Sequence, residues 1–202
     1  MAGLGRFFDP ASVAVVGASR RAGKIGRAIL VNLLKSGYRG TVVAVNPHER
    51  EIEGVPVFPT PAEAAARTGG RLDMAVVAVP AEKVVAVAEE CGRAGARYLV
   101  VITAGFREVG REGLAREREL MAVCRRHGMR MLGPNCLGIM DTHTPINLSF
   151  APGFPLKGNI AFFSQSGALC ISILDWSIGR GIGFSKFVSL GNKADLDESD
   201  FI

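Results

Sequence analysis

The sequence has little of what marks several large classes of protein. Aromatic residues make up 7% of the 202 residues, and the cations are scattered without any basic run that alternates with aromatic residues, so nucleic-acid binding is not expected. No apolar run approaches the ~20 residues of a membrane-spanning helix, and Met1 to Pro10 lack the apolar core of a secretion signal. From these absences we expect a cytoplasmic protein without nucleic-acid or membrane partners.

Cysteine and histidine are also scarce, and neither is spaced for a metal ion. The chain has four cysteines, far apart and without a Cys-x-x-Cys pair: Cys91, Cys124, Cys136 and Cys170. We expect reduced, mostly buried thiols, as in the cytoplasm. The three histidines have no metal-ligand spacing to one another or to a cysteine: His48, His127 and His143. The sequence therefore predicts no metal site.

What the chain does have is an ordinary globular composition with many glycines. Hydrophobic residues make up 48% of the chain, charged residues make up 21%, and 25 residues are glycine. This length and composition suit one large domain or two small ones. The formal net charge of +5 is modestly basic and fits an anionic ligand.

Strand-like apolar runs alternate with helical patterns along the chain. The runs predict strands at 12–17, 41–46, 73–79, 98–103 and 129–132. The helical patterns predict helices at about 24–37, 61–67, 81–95 and 111–128. Such alternation is typical of the α/β class, in which helices cover both faces of a parallel sheet. Ligands of these sheets bind beyond the carboxyl ends of the strands.

The turn between the first strand and the first helix is the most informative local signal. Its glycines, Gly17, Gly23 and Gly26, let a phosphate approach the backbone, and the free N–H groups at the helix start form an anion site. The turn also carries three cations: Arg20, Arg21 and Lys24. Positive charge here suits a ligand with several phosphates. The alternative is a tight structural turn with solvated cations.

This turn departs from the usual dinucleotide fingerprint in two ways. The glycines of G-x-G-x-x-G are closer together than Gly17, Gly23 and Gly26. The second strand ends in Asn46-Pro47-His48, where a nicotinamide enzyme carries an acidic residue for the ribose. Both departures disfavour an NAD-dependent oxidoreductase, which is the least favoured of three hypotheses.

The alternation pauses after Gly133-Pro134-Asn135-Cys136. Residues 139–158 are rich in Pro, Gly, Thr and Asn and predict a linker between domains. A second strand–turn–helix pattern follows, with a strand at 159–163, the turn Ser164-Gln165-Ser166-Gly167 and a helix to about 179. Beyond it the sequence predicts a strand at 184–190 and the start of a further helix at 196–202. Because ~45 residues are too few for an independent α/β domain, we expect a truncated one.

Two turns of this half admit more than one interpretation. Ser164-Gln165-Ser166-Gly167 fits a phosphate site at a helix start, and it fits equally a simple N-cap by Ser164 or Ser166. Gly133-Pro134-Asn135-Cys136 fits a rigid turn, although Cys136 beside Asn135 raises the idea of a Cys-His-Asn protease. Nothing in the sequence marks a partner histidine, so we do not expect a protease.

Seven segments, taken together, resemble the ADP-forming acyl-CoA synthetases of the acetyl-CoA synthetase type, which are related to the α subunit of succinyl-CoA synthetase. The resemblance covers essentially the whole chain. The segments that carry it are, in order, Phe8 to Ser19, Val45-Asn46-Pro47, Val79-Pro80-Ala81, Ile102 to Phe106, Gly133 to Gly138, Ser164 to Leu169 and Gly191 to Asp195.

The resemblance implies a Rossmann-like CoA-binding domain over residues 1–138 and the truncated start of a flavodoxin-like ligase domain over 159–202. It implies CoA contacts at these residues: Gly17, Ser19, Arg20, Arg21, Gly23, Lys24, Asn46, Pro47, Val79, Pro80, Ile102, Thr103 and Ala104. It implies loops that face a phosphorylation site at Asn135, Cys136, Ser164, Gln165, Ser166 and Gly167. His48 stands where some relatives carry a lysine after the Asn-Pro pair.

The resemblance also implies a reaction. In the family, an acyl-CoA, ADP and phosphate give an acid, CoA and ATP by way of an acyl phosphate and a phosphohistidine. No histidine of this chain matches the context of that residue, so no catalytic residue is assigned and the chain alone is expected to be inactive. ADP or ATP and Mg are expected only with an ATP-grasp domain or subunit, in an oligomeric enzyme. The rival hypothesis is a CoA- or acyl-CoA-sensing regulatory module of a protein acetyltransferase.

Overall fold

The described residues, 4–202 of a computed structural model, form two sheets with helices packed around them. The strands are β1 (Ser12–Val16), β2 (Thr41–Val45), β3 (Glu51–Ile52), β4 (Val55–Phe58), β5 (Met74–Val77), β6 (Tyr98–Val101), β7 (Arg130–Leu132), β8 (Gly138–Asp141), β9 (Ile146–Ser149), β10 (Leu156–Ser164) and β11 (Gly183–Ser189). The α-helices are α1 (Ile25–Lys35), α2 (Pro61–Arg67), α3 (Ala81–Arg93), α4 (Arg111–His127) and α5 (Gly167–Gly179). Short 3-10 turns lie at Leu4–Arg6, Arg107–Val109 and Glu198–Asp200.

The larger sheet has the strand order β3-β4-β2-β1-β5-β6-β7. Its neighbouring strands are parallel apart from the β3–β4 hairpin. Helices cover both faces, which explains the continuous apolar runs of the buried strands β1 and β5. Val13 and Val15 pack in one core with α1, whereas Ala14 and Val16 pack on the opposite face with α3 and α4. The predicted α/β class with a parallel sheet is confirmed.

The helices of this sheet begin and end at residues with a clear capping role. Thr60 accepts a hydrogen bond from the backbone N–H of Glu63 and caps α2, whose first residue is Pro61. α3 begins directly after Pro80. Gly128 ends α4 in the left-handed conformation, with a φ of 65°. These local signals bring every helix of the larger sheet close to its predicted bounds.

The smaller sheet has the strand order β10-β11-β8-β9, in which β10 and β11 are parallel and the other pairs antiparallel. Residues 139–158, expected to be a linker, therefore supply most of β8, all of β9 and the start of β10. A carboxylate oxygen of Asp141 accepts the backbone N–H groups of His143 and Thr144 and shapes the tight turn of this hairpin. The division of the chain into domains at 138 and 158 stays a prediction.

The hairpin joins the two halves of the chain because β9 lies against α1. The side-chain amide of Asn32, on α1, donates to the carbonyl oxygens of Ser149 and Ala151 at 2.8 and 2.9 Å. Ser36, at the end of the same helix, donates to the carbonyl oxygen of Pro145. The hairpin is thus a structural bridge between the sheets.

Two further elements differ from the sequence predictions. The β3–β4 hairpin was not predicted, because its strands hold only two and four residues and the second contains Pro56. At the other end, the helix expected at 196–202 is a single 3-10 turn, Glu198–Asp200, closed by a reciprocal capping box between Asp197 and Asp200. Both are short local structures that hydrophobic periodicity does not reveal.

The surface of α5 and β10 carries exposed apolar side chains: Leu156, Ile160, Leu169, Ile171, Trp176 and Ile178. β10 is an edge strand of the smaller sheet. The guanidinium of Arg180 lies over the ring of the half-exposed Trp176, 5.1 Å from its centroid. Within residues 4–202, no helix has both the length and the apolar character needed to cross a membrane.

Candidate functional site

A cleft of about 1370 Å³ lies at the carboxyl ends of the parallel strands and extends to the start of α5. This volume exceeds the roughly 300–1,000 Å³ typical of sites for drug-sized ligands, which fits a larger, extended molecule. Most of the sequence-predicted site residues line it: Gly17, Ser19, Gly23, Lys24, Asn46, Pro47, Val79, Pro80, Ile102, Thr103, Ala104, Asn135, Cys136, Gln165, Ser166 and Gly167. Three predicted residues are not among its lining residues: Arg20, Arg21 and Ser164.

The glycine turn after β1 is held closely against neighbouring backbone. Gly17 has a φ of +90°, and a Cβ there would lie 2.5 Å from the carbonyl oxygen of Ala78. A Cβ at Gly26, in the first turn of α1, would overlap the carbonyl group of Gly17. Lys24 precedes α1 without a side-chain capping bond, so no N-cap side chain satisfies the N–H groups at the helix start. Glycine is required here for close packing as well as for access to the backbone.

Arg20 and Arg21, unlike Lys24, do not line the cleft. The guanidinium Nε of Arg20 lies 2.5 Å from a carboxylate oxygen of Glu49, and its backbone N–H points at the other oxygen. This hydrogen bond from Arg20 holds the pKa of the Glu49 carboxyl below its usual range. The backbone N–H of Arg21 donates to the hydroxyl of Ser19. Of the three predicted cations, Lys24 is the one that lines the cleft.

Asn46, at the end of β2, fastens the glycine turn to the next strand. Its side-chain NH₂ donates to the carbonyl oxygen of Ala18 at 2.6 Å, and its side-chain oxygen accepts the backbone N–H of His48 at 2.9 Å. A carboxylate has no proton to donate to Ala18, so an acidic residue could not make both bonds. These two hydrogen bonds explain why residue 46 is an asparagine, whereas a nicotinamide enzyme carries an acidic residue at this position.

The next strand ends are linked to one another through hydrogen bonds. The hydroxyl of Thr103, after β6, donates to the carbonyl oxygen of Val79, after β5, at 2.7 Å. The carbonyl oxygen of Thr103 accepts the backbone N–H of Asn135 at 3.0 Å. These bonds connect the floor of the cleft to the loop Gly133–Cys136.

The loop Gly133–Cys136 fits a rigid turn with a buried thiol. Asn135 lies in the left-handed region, with a φ of 59°, and Gly133 has a φ of +95°. The Sγ of Cys136 lies 3.3 Å from the carbonyl oxygen of Val101, to which it donates. Burial raises the pKa of the Cys136 thiol to about 12. A thiol in this state is a poor nucleophile at neutral pH.

At the far end of the cleft, Ser166 caps α5. Its hydroxyl accepts the backbone N–H of Leu169 at 3.2 Å, while its own backbone N–H donates to the hydroxyl of Ser164. Gln165, Ser166 and Gly167 nevertheless line the cleft. The two interpretations of this turn are thus compatible, because an N-capped helix start can also face an anion.

Several lining residues were not predicted from the sequence: Pro59, Pro61, Lys83, Val87, Glu90, Leu137, Phe150, Ala168 and Ile171. Lys83, Val87 and Glu90 lie at helical spacing on α3, next to its buried face of Val84, Ala88 and Cys91. That spacing places the first three on one side of the helix. The helical spacing of these three residues is visible in the sequence, but only the structure shows that this side of α3 lines the cleft.

The three histidines have different surroundings. His48 lines the cleft. The Nε2 of His127 lies 3.0 Å from a carboxylate oxygen of Glu89, and the Nε2 of His143 lies 2.9 Å from the carbonyl oxygen of Gly158. Within residues 4–202, no group of three His, Cys, Asp or Glu side chains is arranged to hold a metal ion.

Two family models match the chain. Residues 11–142 match the model described as a CoA binding domain. Residues 157–202 match the model described as a succinyl-CoA ligase like flavodoxin domain. Residues 143–156 lie between the two matches and include the turn of the β8–β9 hairpin, the strand β9 and the loop that leads to β10.

Two curated relatives of this chain are considerably longer than it is. It is 49% identical over 197 residues to acetate–CoA ligase (ADP-forming) I of Archaeoglobus fulgidus, a match that covers 98% of this chain and 28% of the relative. It is 44% identical to the α subunit of acetate–CoA ligase (ADP-forming) II of Pyrococcus furiosus, over 98% of this chain and 42% of that subunit. The chain thus spans less than half the length of these relatives.

A solved structure has the same fold. The dinucleotide-forming acetyl-coenzyme A synthetase 1 of Candidatus Korarchaeum cryptofilum, in complex with phosphate and ADP, superimposes with a TM-score of 0.94 at 43% identity. The match covers 100% of this chain and 42% of that one. These similarities confirm the resemblance to ADP-forming acyl-CoA synthetases that the seven segments indicate. The chain belongs to the family of CoA-binding domains, which it matches over residues 11–142.

Proposed function

We propose that this chain is the CoA-binding part of an ADP-forming acyl-CoA synthetase. The observation that carries the proposal is the continuity of one cleft between two helix starts, that of α1 beside Gly23 and that of α5 beside Ser166, each of which suits an anion. A site that only binds CoA requires the start of α1. An enzyme that exchanges CoA for phosphate on an acyl group requires the starts of both α1 and α5, at the two ends of one cavity.

The α1 end suits the diphosphate of CoA. The N–H groups at the helix start, the positive end of the helix dipole and Lys24 all favour negative charge there. The strand ends at Val79, Pro80 and Ile102 give the extended remainder of the ligand an apolar floor. In this arrangement the thiol end of CoA points toward Asn135 and the second sheet.

The α5 end suits a phosphoryl group. Preorganised N–H donors at a capped helix start stabilise charge that develops on transferring oxygens. Leu137, Phe150 and Ile171 add apolar surface beside this turn, which keeps water away from the reacting atoms. This chain's contribution to catalysis is therefore positioning and charge stabilisation.

For the whole protein, we propose the reaction acyl-CoA + ADP + phosphate → acid + CoA + ATP. Phosphate displaces CoA from the acyl group, and the phosphoryl group then passes to a histidine outside this chain and on to ADP. ADP and Mg²⁺ are assigned to an ATP-grasp domain or subunit, in an oligomer. Because the phosphorylated histidine and the ATP-grasp part are assigned elsewhere, residues 1–202 alone carry out no turnover.

The test is ATP formation by the protein that contains this chain together with its ATP-grasp part. We expect ATP only when acetyl-CoA or another acyl-CoA, ADP, phosphate and Mg²⁺ are all supplied, with free CoA released in equal amount. A phosphorylated intermediate that is labile in acid and stable in base should appear with labelled ATP. CoA binding without turnover or phosphorylation would contradict the proposal and favour an acyl-CoA-sensing regulatory module.

A further inference from the structure

We propose that Lys83 binds the 3′-phosphate of CoA and is the residue with which this site distinguishes CoA from its dephosphorylated form. The inference rests on the proposed CoA site and assigns within it a residue that the sequence motifs do not include. Three features of the cleft support this assignment: the side of α3 on which Lys83 lies, the contacts and positions of the other cations near the glycine turn, and the position of Lys83 relative to α1.

Lys83 lies on the side of α3 that meets the cleft. Val84 and Ala88, its neighbours on the helix, are fully buried against the larger sheet, whereas Lys83 is exposed and lines the cleft with Val87 and Glu90. Residues 83, 87 and 90 follow one another at helical spacing, so they form a single wall. Lys83 lies in the first turn of this wall.

CoA carries a diphosphate and a separate 3′-phosphate, and the cleft has few cations available to bind them. Arg20 is held by Glu49, with 2.5 Å between its Nε and the carboxylate oxygen, and Arg21 is not a lining residue. Lys24 and Lys83 are the lysines of the cleft wall. The ion pairs formed among residues 4–202 include neither of them. Both ammonium groups are therefore available to an anion.

The two lysines reach the cleft from opposite faces of the sheet. α1, which Lys24 precedes, packs on one face, and α3 packs on the other. Lys24 stands at the glycine turn, where the diphosphate is expected. Lys83 lies in the first turn of α3, and three apolar lining residues lie nearby in the fold: Val87 one turn further along α3, and Pro59 and Pro61 at the start of α2, which packs against α3.

The covalent structure of CoA matches this separation. Its ribose, which carries the 3′-phosphate, connects the diphosphate to the adenine ring. If the ring packs against Pro59, Pro61 and Val87, the ribose lies beside the first turn of α3. With a rise of 1.5 Å per residue, Glu90 is about 10 Å further along the helix axis than Lys83, so its carboxylate is remote from that phosphate. A lysine ammonium is a common phosphate ligand in such a position.

The experiment combines one substitution with one change in the ligand. CoA and 3′-dephospho-CoA are titrated by calorimetry into the chain and into Lys83→Met, which keeps the apolar stem and removes the charge. A single charge-assisted contact is expected to be worth about tenfold in affinity. We expect Lys83→Met to weaken CoA binding by about that factor, to leave dephospho-CoA binding unchanged within about twofold, and so to abolish the preference for CoA.

Three further variants complete the design. Lys24→Met should weaken both ligands by the same factor, because both contain the diphosphate. Lys83→Arg should keep the preference for CoA over 3′-dephospho-CoA. Lys35→Met, in the last turn of α1, controls for the loss of one positive charge. A Lys83→Met protein that retains the preference, or that loses both ligands equally, overturns the assignment of Lys83. If the folded wild-type chain binds neither ligand, the proposed CoA site itself is wrong.

Discussion

The side-chain amide of Asn192 donates a hydrogen bond of 2.9 Å to the buried carboxylate of Glu117, across the junction of the two sheets. The same NH₂ group donates to Glu108 at 2.7 Å, and the side-chain oxygen of Asn192 accepts from Asn135 at 3.3 Å. The backbone N–H of Asn192 donates to the carbonyl oxygen of Pro134. One residue of the second half thus fixes the loop Gly133–Cys136, which lines the cleft through Asn135 and Cys136.

Substituting Asn192 should therefore cost stability through Glu117. In Asn192→Ala the buried Glu117 carboxylate loses this hydrogen bond and keeps an ion pair with Arg107, with 3.7 Å between the nearest charged atoms. We expect a loss of about 1–3 kcal/mol in the free energy of unfolding, measured by urea denaturation.

The double variant Asn192→Ala/Glu117→Gln separates the buried charge from the lost contact. A neutral amide is cheaper to bury than a carboxylate that has lost a hydrogen bond, so the double variant should be more stable than Asn192→Ala alone. Equal stability of wild type and Asn192→Ala, or a further loss in the double variant, would show that the Asn192–Glu117 contact is energetically unimportant.

Glu108 should make the stability of the fold depend on pH. Burial raises the pKa of its carboxyl, but hydrogen bonds from Asn192 and from the backbone N–H groups of Gly105 and Phe106 outweigh burial and hold the pKa below its usual value. A depressed folded-state pKa stabilises the protein above the unfolded-state value of about 4.3, and this stabilisation is lost as the pH falls through the folded-state pKa.

Urea denaturation of wild type and Glu108→Gln at several pH values tests this. The variant should be less stable at pH 7, and the difference should shrink as the pH falls below the unfolded-state value of about 4.3 and through the lower folded-state pKa, because the wild-type carboxylate then becomes protonated. Glu119→Gln, exposed on α4, removes one negative charge without touching the network. A difference between wild type and Glu108→Gln that stays constant from pH 7 to pH 3 would rule out the ionised carboxylate as the cause.

Gly26→Ala should damage the cleft without changing any charged group. The new Cβ would overlap the carbonyl group of Gly17, so the glycine turn and α1 would have to separate. We expect a loss of about 1–3 kcal/mol in unfolding free energy, as for other overpacked sites, and at least tenfold weaker CoA binding.

Gly179→Ala is the matched control for this substitution. Gly179 is the last residue of α5, and a Cβ there meets nothing within 4 Å. Helix propensity predicts unchanged or slightly greater stability, by up to ~1 kcal/mol. If Gly26→Ala behaves like Gly179→Ala in both stability and CoA binding, the close approach of α1 to Gly17 does not shape the site.

The cysteines should be slow to react with thiol reagents in the native protein. Burial raises the pKa values of Cys91, Cys124 and Cys136 to about 12 and also raises that of Cys170. Since the thiolate is the reactive form, a chromogenic disulfide reagent should label none of the four rapidly at pH 7 and all four in urea. A fast-reacting Cys136 would mean that the loop Gly133–Cys136 opens toward solvent.

The parallel sheet was predictable because its strands are apolar on both faces. The runs around Val13–Val16 and Met74–Val77 are buried against helices on either side, so their hydrophobicity alone identifies them. The glycine turn and the strand ends follow from that sheet by the general rule that ligands bind at the carboxyl ends of the strands. These parts of the site depend on local sequence.

The remaining parts of the site depend on contacts between distant segments. Nothing near Arg20 in the sequence indicates that Glu49, 29 residues away, accepts its guanidinium. The hairpin β8–β9 has polar and proline-rich surroundings, and its place is set by Asn32 and β11. Lys83 could be placed on a helix from its spacing, but the cleft that it lines is formed by several other elements.

The most direct test of the central claim is a calorimetric titration of this chain with CoA and, separately, with NAD. The glycine turn, the amide of Asn46 and the continuous cleft predict saturable binding of CoA at one site and no saturable binding of NAD. Preferential binding of NAD, or a folded chain that binds neither ligand, would contradict the assignment of the cleft as a CoA site.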